Sequence, residues 1–126
     1  MSIWFKDYTV KDIVTKGTMV EHLGIEVTEL GDDYVIGTMP VDNRTKQPFG
    51  ILHGGASVAL AETLASYGGY LTIDPEKYHV VGVEINANHL KMAKEGIVTG
   101  KCSPIKRGRL DNKELKDNNM LQKNIT

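Results

Sequence analysis

Gln47-Pro48-Phe49-Gly50-Ile51-Leu52-His53-Gly54-Gly55 runs directly into Ala56-Ser57-Val58-Ala59-Leu60-Ala61-Glu62-Thr63-Leu64-Ala65-Ser66. A polar loop with glycines therefore opens onto an apolar segment that carries one carboxylate, Glu62. The first turn of a helix exposes unpaired backbone N–H groups and a partial positive charge. Glycine at that point lets a ligand approach the backbone closely. These are the requirements for stabilising an oxyanion. The apolar spacing predicts a helix from about Gly54 to Thr72. At about 100° per residue, Leu60, Leu64, Tyr67 and Leu71 form one stripe, expected to pack on a sheet. Gly55, Ala59, Glu62 and Ser66 form the opposite face, which is small and polar and suits close approach by another surface.

Shorter elements flank this helix. Val10–Val14 and Thr18–Leu23 read as short helices, the second closed by Gly24. Ile25–Leu30 alternates apolar and polar residues, as a half-buried strand does. Gly31-Asp32-Asp33 is a turn, and Tyr34–Met39 is the returning strand, ended by Pro40. Asp42–Phe49 is a polar loop. After Asp74-Pro75-Glu76-Lys77 ends the helix, His79–Leu90 reads as a long strand with Gly96–Ile105 as its hairpin partner. Leu110–Thr126 is polar, and a short hairpin turning at Asp117-Asn118-Asn119, a frayed helix and disorder all fit it. One long helix with a meander of antiparallel strands is an α+β fold, a single domain over residues 1–126.

Composition narrows the function classes. The chain has 126 residues, 40% hydrophobic and 25% charged, ordinary for one soluble globular domain. A net charge of -1 argues against bulk attraction to nucleic acid or an anionic membrane. One cysteine, Cys102, excludes an internal disulfide framework and a cysteine-based zinc cluster. His22, His53, His79 and His89 show no metal-ligand spacing, so neither a metal nor a redox cofactor is expected. Met1–Tyr8 lacks the apolar core of a signal peptide, and no apolar run is long enough to span a bilayer. A cytoplasmic location is the expectation.

Glu62 follows Gly55 by seven positions, so both point from nearly the same side of the helix. Their axial separation is about 10 Å at roughly 1.5 Å per residue. A glutamate side chain does not span that distance to a carbonyl held at its own helix start. If the two serve one reaction, Glu62 comes from a second copy of the chain. Antiparallel helices facing each other across a two-fold axis bring each Glu62 near the other chain's Gly55. Ala59 and Ser66 permit that approach.

The residues resemble a known family, the hotdog-fold acyl-CoA thioesterases of the phenylacetate-degradation type. The central match runs from Gln47 to Thr63. Further matches are Thr18-Met19-Val20, His22-Leu23-Gly24-Ile25, Leu30-Gly31-Asp32-Asp33, Met39-Pro40-Val41-Asp42, Val80-Val81-Gly82, Glu84, Asn86-Ala87, His89, Glu95-Gly96 and Gly108-Arg109. The resemblance implies a long central helix wrapped by a curved antiparallel sheet. It also implies dimers with shared active sites that often pair into tetramers. The implied reaction is hydrolysis of an aromatic, 1,4-dihydroxy-2-naphthoyl-like CoA thioester, as in menaquinone biosynthesis, with coenzyme A as part of the substrate. Glu62 takes the position of the nucleophile or general base, and Gly55 that of the N–H polarising the carbonyl. Gln47 and His53 match side chains that align the carbonyl and the leaving thiolate. Ser66 matches a hydroxyl that orients the carboxylate or its water.

For coenzyme A, Gly82 matches a position along the pantetheine channel. His89-Leu90-Lys91-Met92 stands where relatives carry His-His-Arg-Pro, so only His89 and a positive charge are kept. Lys106-Arg107-Gly108-Arg109 lies where relatives bind the nucleotide phosphates, and three cations within four residues suit that role. The tail departs from the family, whose members continue with two long apolar strands. A polar substitute is expected to leave strand edges unpaired and the helix under-covered, lowering stability. Two other functions fit the same residues: a proofreading thioesterase for misloaded aroyl carrier proteins, and a non-catalytic acyl-CoA-binding module.

Overall fold

The computed structural model describes residues 2–74, 76, 93–104 and 121–125. The elements run from a 3-10 turn at Val10–Asp12 through α1 (Met19–His22), β1 (Glu26–Leu30), β2 (Val35–Pro40), α2 (Gly54–Leu71), β3 (Ile97–Pro104) and β4 (Leu121–Ile125). The four strands form one antiparallel sheet in the order β1-β2-β3-β4, and α2 lies on it. Among the described residues, no helix is long and apolar enough to cross a membrane.

Strand alternation places the core. In β2, Val35, Gly37 and Met39 are buried and their neighbours are not. In β3, Val98, Gly100 and Cys102 are the buried set. The register pairs them as Val35 with Cys102, Gly37 with Gly100 and Met39 with Val98. All three pairs face α2, whose Leu60, Ala61, Leu64 and Leu71 close the core. Removing a leucine side chain from water contributes about 1.5–3 kcal/mol, so Leu60 and Leu64, 0% and 1% exposed, are major anchors of the helix.

The central glycine pair is the seat for Leu64. A Cβ on Gly37 would lie 2.6 Å from Leu64 Cδ2, and one on Gly100 would lie 2.9 Å from Leu64 Cδ1. The leucine straddles two adjacent strands where neither has a side chain. The helix thus approaches the sheet more closely than any other residue pair would permit.

The chain before β1 holds the opposite end of the helix. The Phe5 N–H donates to Leu71 O at 2.7 Å, satisfying one of the carbonyls a helix end leaves open. Trp4 Nε1 donates to Gly31 O at 2.8 Å, tying the same segment to the β1–β2 turn.

The expected elements up to residue 72 are found within one or two residues of their predicted ends. Two expectations are corrected. Among the described residues Tyr67 is not part of the core, because the buried arc of α2 is centred on Ser57, Leu64 and Gly68, rotated away from it. The small residues are drawn inward by the close approach, and Tyr67 falls at the edge of the arc. Gly96–Ile105 was expected to hairpin with His79–Leu90, but along Gly100–Pro104 both edges of β3 are taken, by β2 and β4. Residues 79–90 lie outside the described residues. In the tail, Leu121–Ile125 is a strand rather than helix or disorder, while the proposed turn at Asp117-Asn118-Asn119 lies outside the described residues.

Candidate active site

The loop before α2 is polar, as expected, and tightly hydrogen-bonded. Thr45 is buried, and its hydroxyl donates to Pro40 O (2.7 Å) while accepting from the Asp42 N–H (3.1 Å). The Arg44 guanidinium donates to both Asp42 carboxylate oxygens. These hydrogen bonds hold the Asp42 carboxyl below the usual carboxylate range. The Gln47 N–H donates to Ile51 O (2.8 Å), and the Gln47 side-chain oxygen accepts from the Phe49 N–H. The His53 N–H donates to Thr45 O at 2.7 Å. Successive bonds thus lead from the end of β2 to the residue that starts α2.

His53 is the N-cap of α2, and its Nδ1 accepts from the Gly55 N–H at 2.7 Å. Nδ1 must then be the unprotonated nitrogen, with the neutral ring's proton on Nε2. The ring and the amide are both exposed.

The outward face of α2 borders an open groove of ≈ 420 Å³. Gly55, Ala59, Glu62 and Ser66 line it on the helix side, the face expected from helical spacing. Met19 and Val20 of α1 form the opposing wall, with Val58, Thr63 and Tyr67 completing it. Glu62 and Ser66 are exposed. The Tyr67 hydroxyl donates to Val14 O at 3.1 Å, bridging α2 to the segment before α1. Burial pushes the Tyr67 phenol above its ordinary value.

The structure therefore brings Gly55, Glu62 and Ser66 to one groove. His53 sits at the head of the same helix, and Gln47 is held in the preceding loop. Neither His53 nor Gln47 lines the groove. Helical spacing alone did not reveal Tyr67, because it belongs to the leucine stripe by period. Met19 and Val20 carry no chemical signal and reach the groove only through tertiary packing. Gly82, His89, Leu90, Lys91, Met92, Lys106, Arg107, Gly108 and Arg109, expected along the coenzyme A path, lie outside the described residues.

Residues 49–110 match the Thioesterase superfamily. Over 109 residues the chain is 54% identical to the proofreading thioesterase EntH of Cronobacter turicensis, covering 85% of this chain and 79% of that protein. This chain belongs to the Thioesterase superfamily. It is 51% identical over 108 residues to the 1,4-dihydroxy-2-naphthoyl-CoA hydrolase of Escherichia coli, covering 84% and 79% of the two chains. The crystal structure of a thioesterase from Haemophilus influenzae superposes with a TM-score of 0.79 at 49% identity, over 85% of this chain and 76% of that one. The chain is thus a hotdog-fold thioester hydrolase. As a thioesterase it uses a helix packed on an antiparallel sheet, and the superfamily match ends at residue 110, where the sequence turns polar.

Proposed function

We propose that this thioesterase hydrolyses an aromatic CoA thioester of the 1,4-dihydroxy-2-naphthoyl type, giving the free acid and coenzyme A. The observation that carries this reading is the groove on α2. It sets the Glu62 carboxylate and the Ser66 hydroxyl among the apolar or aromatic side chains of Met19, Val20, Val58 and Tyr67. A flat aromatic acyl group fits such walls, and the polar face supplies the chemistry.

Glu62 either attacks the carbonyl carbon, giving an anhydride that water then cleaves, or takes a proton from the attacking water. In both routes the acyl–sulfur bond breaks and the thiolate leaves with coenzyme A. The Gly55 N–H receives the developing oxyanion, a donor of a kind worth about 3–4 kcal/mol. Gln47 and His53 align the carbonyl and the leaving sulfur, and Ser66 orients Glu62 or its water. Because Gly55 and Glu62 of one helix are about 10 Å apart along the axis, the reaction joins Gly55 of one chain to Glu62 of a second. The functional unit is a homodimer, arranged as a dimer of dimers, acting in the cytoplasm.

The 54% identity to a protein named as a proofreading thioesterase favours a second reading, in which the acyl group sits on a carrier protein. One assay separates the two: free-thiol release from a panel of aryl- and alkyl-CoA esters beside aroyl carrier protein. The leading reading expects turnover on aryl-CoA and loss of kcat by at least about a hundredfold in Glu62→Gln with the oligomer intact. Near-normal turnover by Glu62→Gln would refute the assignment of Glu62.

A further inference from the structure

Residues 14–22 carry the wall of the groove that faces α2, through Met19 and Val20. The bonds inside this segment close on themselves. The Gly17 N–H donates to Glu21 Oε2 at 3.0 Å, the Thr18 hydroxyl to Thr15 O at 2.6 Å, and the His22 N–H to Thr18 O at 3.1 Å. Such bonds give the segment its shape, not its distance from α2. Val20 packs against the core, but Met19 is 62% exposed, so its place follows the backbone that bears it. Among the described residues, two side chains reach the segment from outside by hydrogen bonds. The Tyr67 hydroxyl donates to Val14 O at 3.1 Å, at one end. The Arg44 guanidinium donates through Nη1 to His22 O at 3.4 Å, at the other.

Arg44 is aimed before it reaches His22. Its Nε donates to Asp42 Oδ1 at 3.1 Å and its Nη2 to Asp42 Oδ2 at 2.6 Å. The guanidinium is a rigid planar fork, so holding that edge turns Nη1 toward α1. The backbone beneath is fixed as well: the Arg44 N–H donates to Asp42 Oδ1 at 2.9 Å, and the next residue, Thr45, is buried with its hydroxyl on Pro40 O. Gly24 makes room from the other side. A Cβ there would lie 2.8 Å from Pro40 Cγ and 3.1 Å from Arg44 Nη1, and its φ of +74° is one that glycine adopts freely. The end of α1 therefore lies close against the loop that presents Gln47. The contact to His22 O is longer than those to Asp42, and it has the weight of one modest hydrogen bond.

We propose that Arg44 is a positioning residue for the acyl group: braced by Asp42, its guanidinium holds the His22 end of α1 so that Met19 and Val20 stand at the distance from α2 that a flat aryl group fills. Arg44 acts through the wall, on the fit of the acyl group, and not on the bond that breaks. When the wall drifts, a wide rigid ring loses more contact than a two-carbon chain does. Lysine at this position keeps the charge, but one ammonium does not replace a fork that grips both Asp42 oxygens and reaches His22 O. The proposal rests on the reading of the groove as the acyl site.

The test compares wild type and Arg44→Lys in hydrolysis of benzoyl-CoA and acetyl-CoA. The KM for benzoyl-CoA is expected to rise by about two- to tenfold, the equivalent of one hydrogen bond. The KM for acetyl-CoA and both kcat values are expected to stay within about twofold, since that bond touches no reacting atom. Asp42→Ala, which removes the brace from the other side of the ion pair, is expected to shift the ratio of the two KM values in the same direction. A structural role alone predicts a loss of active protein, read as a common fall in kcat on both esters with the KM ratio unchanged; that result overturns the proposal.

A second readout does not depend on turnover. In the full chain labelled with 13C-methyl methionine, the Met19 resonance, assigned with Met19→Leu, is expected to move in Arg44→Lys. An unmoved Met19 resonance overturns the proposal. If the wild type cleaves neither ester, the proposed function fails, and the Met19 resonance by itself decides whether Arg44 sets the wall.

Discussion

The seat of Leu64 on paired glycines can be measured with a double-mutant cycle. In Gly37→Ala the new methyl would lie 2.6 Å from Leu64 Cδ2 and 2.9 Å from Glu26 O. Carbon atoms pack best at about 3.5–4.0 Å, so the overlap with the leucine is about 1 Å. Overpacking of that kind costs about 1–3 kcal/mol. Alanine also restricts the unfolded chain, which returns about 0.4–1 kcal/mol. Leu64→Ala removes the clashing atom and leaves a cavity in a site 1% exposed, a loss of about 2–5 kcal/mol. In the double mutant the methyl on residue 37 meets no leucine and refills part of that cavity. The unfolded-state term enters both arms of the cycle and cancels. The double mutant is therefore expected to be less destabilised than the sum of the singles by about 1–3 kcal/mol. Urea unfolding followed by circular dichroism at one fixed protein concentration reads this directly, since an oligomer's stability depends on concentration. In a thermal melt each kcal/mol corresponds to about 4 °C at this length. Additivity within about 0.5 kcal/mol would refute the claim that the glycine pair seats this side chain.

Two further outcomes follow from the site. Tyr67→Phe deletes the hydroxyl that reaches Val14 O and is expected to speed amide hydrogen exchange across residues 13–18 while costing about 0.5–1.5 kcal/mol of stability; unchanged exchange there would show that the bond does not hold the groove wall. Asp42 has its carboxyl lowered by Arg44, so its contribution is present above the unfolded carboxylate pKa and is lost as pH falls through the folded value. The acid limb of the urea midpoint against pH should flatten in Asp42→Asn, and an unchanged limb would refute this.

Much of the fold was legible in the sequence because its signals are local. The period of α2, the alternation in β1 and β2, and the turn at Gly31-Asp32-Asp33 each follow from neighbouring residues, and the helix ends one residue from its expected limit. The face shared by Gly55, Glu62 and Ser66 was legible for the same reason, since helical spacing alone sets it. The wall formed by Met19 and Val20 was not, because nothing in those residue types marks them for a site.

What the sequence by itself determined, then, is which residues form the helix, which face carries the carboxylate, and that Gly55 and Glu62 of one chain are too far apart to act together. Tertiary structure decided the rest. Gly37 and Gly100 become a seat for Leu64 only when the β2–β3 register places them side by side, and that close seating turns Tyr67 off the core and into the groove. The Gly55 amide is held by His53 because of a side-chain torsion, which residue order does not set. Sheet register, helix rotation and side-chain torsions depend on contacts between residues distant in sequence or on space left by them, whereas helix and strand periods are complete within a few neighbouring positions.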